Sequence, residues 1–370
     1  MNDKIKQAQR IVVKVGSSTL TYDNSKLNLD RIDRIVRDIS NLKNQELDII
    51  FVSSGAIAAG QGKLNLAKTG RSIPEKQALA SIGQGLLMKT YQKLFSEYGY
   101  EAAQILLTQN DLNDRKRYLN SRNTINQLLK YDVVPIINEN DTVAVKEIKF
   151  GDNDTLSALV SSLIDADLLI MLSDIDGLYT TDPRQDEGAD LISEVEDISE
   201  VESAASGSGT ERGTGGMNTK IEAAKIATRA GIPMVIANGK EDKVLTKILG
   251  GAEIGTKFLA QSGLPSRDKW IAFNMAVEGK LIIDTGAVKA VQENGSSLLA
   301  CGIVETKGSF AAGDVVDVLD QSGTKVARGL VNYAQREVEQ IEGLHSSEIE
   351  DELGYQAYDE VIHRDNLVLV

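Results

Sequence analysis

The chain has 370 residues, 42% hydrophobic, with a formal net charge of −14; that length predicts two domains. No run of 18 uninterrupted apolar residues is present, which argues against a membrane-spanning helix, and the polar start 1–10 lacks a secretory leader's apolar stretch, so a cytoplasmic protein is expected. The single cysteine, Cys301, and the two histidines, His345 and His363, all lie beyond residue 300, which removes Ser-His-Asp and Cys-His catalysis and Cys/His zinc sites from the larger part of the chain.

Chemistry in the first 300 residues therefore rests on Lys, Arg, carboxylates, Ser/Thr, Asn and backbone amides. Phosphoryl transfer to an already ionised acceptor fits that inventory, because it needs positioning and charge stabilisation more than a general base. Cys301 cannot form an internal disulfide and is expected as a small buried hydrophobe.

The first predicted strand, 11–15, is a β-branched run interrupted by Lys14 and followed by Gly16-Ser17-Ser18. An ammonium there is costly unless an anion pairs with it, and the turn offers N–H groups and hydroxyls that suit a phosphate. A lysine that snorkels from a strand end to solvent is the commoner arrangement. A helix over 29–42 and a second strand over 47–52 follow. The run Ser53-Ser54-Gly55-Ala56 then opens a stretch of small residues. That stretch suits either close ligand approach or, as the favoured expectation, tight packing of a helix on the sheet.

Further strands are predicted at 102–107, 133–137, 168–172 and 232–237, with helices at 76–98, 115–130, 155–165 and 217–230. Repeated β-then-α order implies a mostly parallel sheet sandwiched by helices, an α/β fold. The strand at 133–137 runs into Asn138-Glu139-Asn140-Asp141. Phe150-Gly151-Asp152-Asn153-Asp154 opens the next helix, and Ser173-Asp174 follows the strand at 168–172. Asp141 and Asn153 look suited to a zwitterion, a carboxylate for its ammonium and an amide for its carboxylate. Residues 185–216, acidic and then Ser/Gly/Thr-rich, read as a loop before a helix. The loop's last glycines, in Gly213-Thr214-Gly215-Gly216-Met217-Asn218-Thr219-Lys220-Ile221, combine backbone approach, a helix start and a lysine point charge.

The pattern breaks near 260–266, so domains are expected at 1–262 and 270–370. The second domain reads as a small, mostly β fold with short strands and turns, ending in an acidic, helix-prone tail from Glu337. Residues 271–370 hold seven basic and seventeen acidic residues, which disfavours a nucleic-acid partner.

Taken in order, Lys14-Val15-Gly16-Ser17, Ser53-Ser54-Gly55-Ala56, Asn138-Glu139-Asn140-Asp141, Phe150-Gly151-Asp152-Asn153-Asp154, Ser173-Asp174-Ile175-Asp176-Gly177-Leu178-Tyr179 and Gly213-Thr214-Gly215-Gly216-Met217 resemble the amino acid kinase family, and its glutamate-phosphorylating branch in particular. Gly286-Ala287-Val288, Leu298-Leu299-Ala300-Cys301-Gly302-Ile303 and Phe310-Ala311-Ala312-Gly313-Asp314 resemble a PUA domain. The resemblance implies ATP-dependent phosphorylation of the side-chain carboxylate of L-glutamate, the first step of proline synthesis. It implies that Lys14 and Lys220 stabilise the transferring phosphoryl group while Asp154 holds them. It assigns glutamate to Ser54, Asp141 and Asn153, with Asp152 close by. The nucleotide falls to Lys14, Ser173, Asp174, Gly215, Gly216, Met217, Asn218, Thr219, Lys220 and Ile221. Mg²⁺ is expected on the ATP phosphates rather than in a protein cage. Proline is expected as a feedback inhibitor, and a homo-oligomer, without nucleic acid or membrane, is the expected state. Other acceptors known in the family (aspartate, N-acetylglutamate, carbamate, UMP) are disfavoured by the segments 138–141 and 152–154.

Overall fold

Five hydrophobic runs of five or six residues, each buried on both faces, form the middle of one sheet, as a strand covered by helices on either side requires. The computed structural model describes residues 2–67, 70–143, 153–181, 183, 186, 188–198, 201, 216–260 and 277–369. Its first unit, Met1–Leu264, and its second, Pro265–Val370, are each compact and have separate hydrophobic cores. The expected boundaries at 262 and 270 fall outside the described residues.

In the first unit the strands are β1 (Arg10–Val15), β2 (Asp48–Ser53), β3 (Ala102–Leu107), β4 (Val134–Glu139), β5 (Leu168–Ser173), β6 (Leu178–Tyr179), β7 (Leu191–Ile192), β8 (Glu194–Val195), β9 (Met234–Asn238) and β10 (Thr256–Phe258). Eight of them form one sheet in the order β3-β4-β2-β1-β5-β9-β10-β8, parallel except where β10 meets β9; β6 and β7 pair as a separate ribbon. Strands β7 and β8 lie inside the stretch read as a loop. They are two residues each, too short to carry a periodicity.

The alternation of side chains along β1 decides where Lys14 goes. Ile11, Val13 and Val15 join a core shared with the helices Leu29–Lys43, Ile73–Glu97 and Val244–Leu249. Lys14 therefore points to the other face of the sheet, which the helices Asn153–Leu163 and Met217–Arg229 cover. Those two helices carry Asp154 and Lys220 in their first turns.

The small residues after β2 pack a helix against a helix rather than against the sheet. The helix Ala56–Lys63 crosses Ile73–Glu97 so closely that a Cβ on Gly83 would stand 1.7 Å from the Ala56 carbonyl oxygen, and one on Gly60 2.0 Å from that of Leu79. Gly55, between Ser54 and this helix, has φ +94°, a left-handed conformation that glycine adopts without strain.

The second unit is a five-stranded sheet of β11 (Val277–Ile283), β12 (Ile303–Gly308), β13 (Val315–Asp320), β14 (Lys325–Leu330) and β15 (Leu367–Leu369), in the order β12-β11-β13-β14-β15. A helix, Thr285–Asn294, interrupts the expected run of short strands; Asp284 caps it by accepting from the Ala287 N–H at 2.7 Å. Cys301 is exposed, contrary to expectation. It sits in the 3₁₀ turn Ala300–Gly302, whose other two residues are buried, and at three residues per turn the middle one faces out. No helix among the described residues is long and apolar enough to cross a membrane.

Candidate active site

The C-terminal ends of the central strands gather the polar residues that the sequence singled out. Lys14 lies one residue from the end of β1, Ser53 ends β2, Asn138 and Glu139 end β4 and Ser173 ends β5; Asn238, which the sequence did not mark, ends β9. The chain builds outward from β1 to β2 on one side and later to β5 on the other. A crevice at the carboxyl ends of the strands, where the winding reverses, is the usual ligand position in open α/β sheets.

The centre of the site is Asp154, 1% exposed, in the first turn of the helix Asn153–Leu163. One carboxylate oxygen, Oδ1, pairs with Lys14 Nζ; the other, Oδ2, takes Lys220 Nζ at 3.0 Å and the Thr219 hydroxyl at 2.7 Å. Lys14 and Lys220 are both 6% exposed. Burial would push the Asp154 carboxyl up, but the two ammonium groups and the hydroxyl outweigh it and hold the carboxyl well below the usual carboxylate range. Burial pushes the Lys14 ammonium down and Lys220 adds to that, while Asp154 opposes them without cancelling the effect. Two ammonium groups around one carboxylate leave a surplus positive charge in a buried place. An uncompensated buried charge is costly, so the cluster is suited to an anion. Two helix N-termini at the same point favour the same sign of ligand.

A second cluster lies beside it. Asn153 Nδ2 donates to Ser54 Oγ at 3.1 Å and to Asn138 Oδ1 at 2.9 Å. The Glu139 backbone N–H donates to Asn138 Oδ1 at 2.9 Å and to Asn153 Oδ1 at 3.3 Å. Ser54 is in turn tied to β1, its N–H donating to the Val15 carbonyl at 3.1 Å. Asp141 stands in the turn that follows β4.

The remaining expected residues that the structure describes lie at the end of β5 and at the start of the helix Met217–Arg229. The Ser173 hydroxyl donates to Asp174 Oδ1 at 3.3 Å at the end of β5. Asp174 is near enough to Lys14 to favour its charged form. Gly216 is the extended N-cap of the helix Met217–Arg229; Asn218 is exposed, Met217 half-buried and Ile221 buried. Gly151, Asp152, Gly213, Thr214 and Gly215 lie outside the described residues.

Sequence reasoning marked the Asn138–Asp141 segment without assigning Asn138 a role, and did not foresee the bond from the Thr219 hydroxyl to Asp154. It missed Gln84 and Tyr91, both on the helix Ile73–Glu97. Gln84 accepts from Asn138 Nδ2 at 2.8 Å, and the Tyr91 hydroxyl lies 2.7 Å from Ser53 Oγ. Tyr91 also packs edge-on against Phe51 of β2, with burial pushing its phenol far up. A glutamine and a tyrosine in a long helix give no local sign of such contacts.

The mostly parallel α/β sheet, with a buried lysine–carboxylate cluster at its strand ends, defines an anion-binding α/β protein. A model of the amino acid kinase family matches residues 9–238, and one of the PUA domain matches residues 279–353. The chain belongs to the amino acid kinase family. It is 57% identical to the glutamate 5-kinase of Caldanaerobacter subterraneus subsp. tengcongensis, over 98% of both chains. The glutamate 5-kinase of Carboxydothermus hydrogenoformans is 52% identical over 100% of both, and that of Moorella thermoacetica 48% identical over 99% of this chain and 97% of its own.

Proposed function

We propose that the chain transfers the γ-phosphoryl group of ATP to the side-chain carboxylate of L-glutamate, giving L-glutamyl 5-phosphate and ADP as the first step of proline biosynthesis. The observation that carries this reading is the Lys14–Asp154–Lys220 cluster, with its surplus positive charge, beside the Ser54–Asn153–Asn138 cluster. Full-length similarity to glutamate 5-kinases supports the choice of acceptor.

In this reading a carboxylate oxygen of glutamate forms a bond to the γ-phosphorus as the bond to the β-phosphate oxygen breaks. The acceptor is already ionised at neutral pH, so no base is needed. Lys14 and Lys220 stabilise the negative charge that spreads over the transferring group, and Asp154 holds both ammonium groups in place. Ser54, Asn153 and Asp141 bind glutamate, with Asp152 beside them, and the helix start at 216–221 with Ser173 and Asp174 holds the nucleotide. Magnesium enters as a companion of the ATP phosphates. The donor set suits that, because Asp154, the carboxylate beside the lysines, already serves two ammonium groups and a hydroxyl. Proline inhibits by competing with glutamate, and the enzyme works in the cytoplasm.

The test is ADP release that depends on L-glutamate, run beside aspartate and N-acetylglutamate, with the product trapped by hydroxylamine as the hydroxamate. Release that is equal with the analogues, or no hydroxamate, defeats the reading.

A further inference from the structure

The hydrogen bonds around Asn138 have a direction that can be settled without seeing a hydrogen atom. A backbone N–H only donates, so the Asn138 side-chain atom 2.9 Å from the Glu139 nitrogen is the oxygen. The other end of that amide is then Nδ2, and the Gln84 atom that receives it at 2.8 Å is Oε1. The same N–H reaches Asn153 Oδ1 at 3.3 Å, which turns Asn153 Nδ2 towards Asn138 Oδ1 and Ser54 Oγ. The Ser54 oxygen accepts, so its own proton is left to donate elsewhere. At the opposite end, Gln84 spends its oxygen on Asn138 and keeps its Nε2 protons. The relay Gln84–Asn138–Asn153–Ser54 therefore has donors at both ends, which suits a carboxylate ligand.

Gln84 is held in this role by packing. Its neighbour Gly83 lies against Ala56, two residues after Ser54, at a distance where a Cβ would stand 1.7 Å from a carbonyl oxygen. The helix that carries Gln84 is thus locked to the helix that begins just after Ser54, fixing the two ends of the relay relative to one another. Asn138 between them is 1% exposed and has no room to seek water instead.

We infer that Gln84 is a positioning residue of the acceptor site: by fixing the Asn138 amide it orients Asn153 and Ser54 for the substrate carboxylate. This rests on the reading of the chain as a glutamate kinase and names a residue that the sequence motifs do not contain. Gln84 makes no hydrogen bond to the Lys14–Asp154–Lys220 cluster, so its effect falls on the acceptor and not on the nucleotide.

The experiment compares the unaltered full-length chain with Gln84→Ala, Asn138→Ala and the double variant, reading kcat and the KM of each substrate. Alanine is a good helix former at a half-buried helical position, and the urea midpoint checks that each variant is folded. The expected result for Gln84→Ala is a glutamate KM raised about five- to twentyfold, the loss of one amide hydrogen bond, with kcat and the ATP KM within about twofold. In the Asn138→Ala background, Gln84→Ala is expected to change kcat/KM for glutamate less than about twofold, because the residue through which it acts is gone. An unchanged glutamate KM, an equal rise for ATP, or effects of the two substitutions that multiply would each overturn the inference. Absence of glutamate-dependent ADP release from the unaltered chain would instead overturn the glutamate reading itself, and this role with it.

Discussion

A lysine ammonium almost wholly removed from water, sharing one carboxylate with a second lysine, is tolerable only because the site is built to receive negative charge. Its contribution should therefore grow as charge moves from the nucleotide to the acceptor. Lys14→Ala is expected to lower kcat by orders of magnitude while the ATP KM changes much less, since the lost interaction is strongest in the transition state. Near-normal turnover in the folded variant would remove Lys14 from the chemistry. The lowered Lys14 pKa adds a pH signature. As pH rises, its charge is lost earlier than that of an ordinary lysine, so the alkaline limb of kcat/KM for ATP, which reports the free enzyme, should lie below the ordinary lysine range. Asp154 works in the opposite sense. Its carboxyl is held low, so it stays ionised through and below the usual carboxylate range, and its ion pairs fail only as pH falls through that lowered value. Asn153→Ala and Asp141→Ala are expected to raise the glutamate KM strongly and leave that of ATP nearly alone. Equal weakening for both substrates would mean that these residues shape the whole site rather than the acceptor part.

At the level of elements, the crossing of Ala56–Lys63 over Ile73–Glu97 gives a paired comparison of glycines two residues apart. A Cβ on Gly83 would meet the Ala56 carbonyl at 1.7 Å and the Gly60 nitrogen at 2.5 Å, whereas one on Gly85 would meet nothing within 4 Å. Gly83→Ala forces the helices apart and is expected to cost about 1–3 kcal/mol or more by urea unfolding. Gly85→Ala is expected to gain about 0.5–1 kcal/mol from helix propensity. Equal effects at the two positions would show that the crossing is not close-packed. The same crossing marks the limit of what the sequence discloses. The central strands and long helices were legible because their apolar period is local: 11–15 became Arg10–Val15, and 168–172 became Leu168–Ser173. Lys14 stood out as a charge in a buried run, and its need for an anion was foreseeable, although nothing local named Asp154, 140 residues away. The small residues at 53–60 announced close packing, but against the sheet, whereas the partner is the helix Ile73–Glu97. Gln84, ordinary in its helix, acquires meaning only once that helix is brought against the one that follows Ser54.

For the whole molecule, the division into units sets the last expectation. Every residue assigned to the two clusters lies in the first unit, Met1–Leu264, and its hydrophobic core contains no residue of the second. The second unit has its own core, built from β11, β12, β13 and β14, with Leu367 of β15 packed against it. Independent cores are what allow domains to fold alone. The second unit is also strongly acidic, with seventeen acidic against seven basic residues over 271–370, so it offers no general attraction for ATP, itself a polyanion. A chain cut near Ser266 is therefore expected to fold, to unfold cooperatively in urea, and to release ADP in response to glutamate with kcat within an order of magnitude of the full chain. The effect of the cut should fall on regulation or assembly, read as a changed proline response or a changed mass in solution. A soluble, folded fragment with no activity would place part of the active site in the second unit and reverse this division of labour.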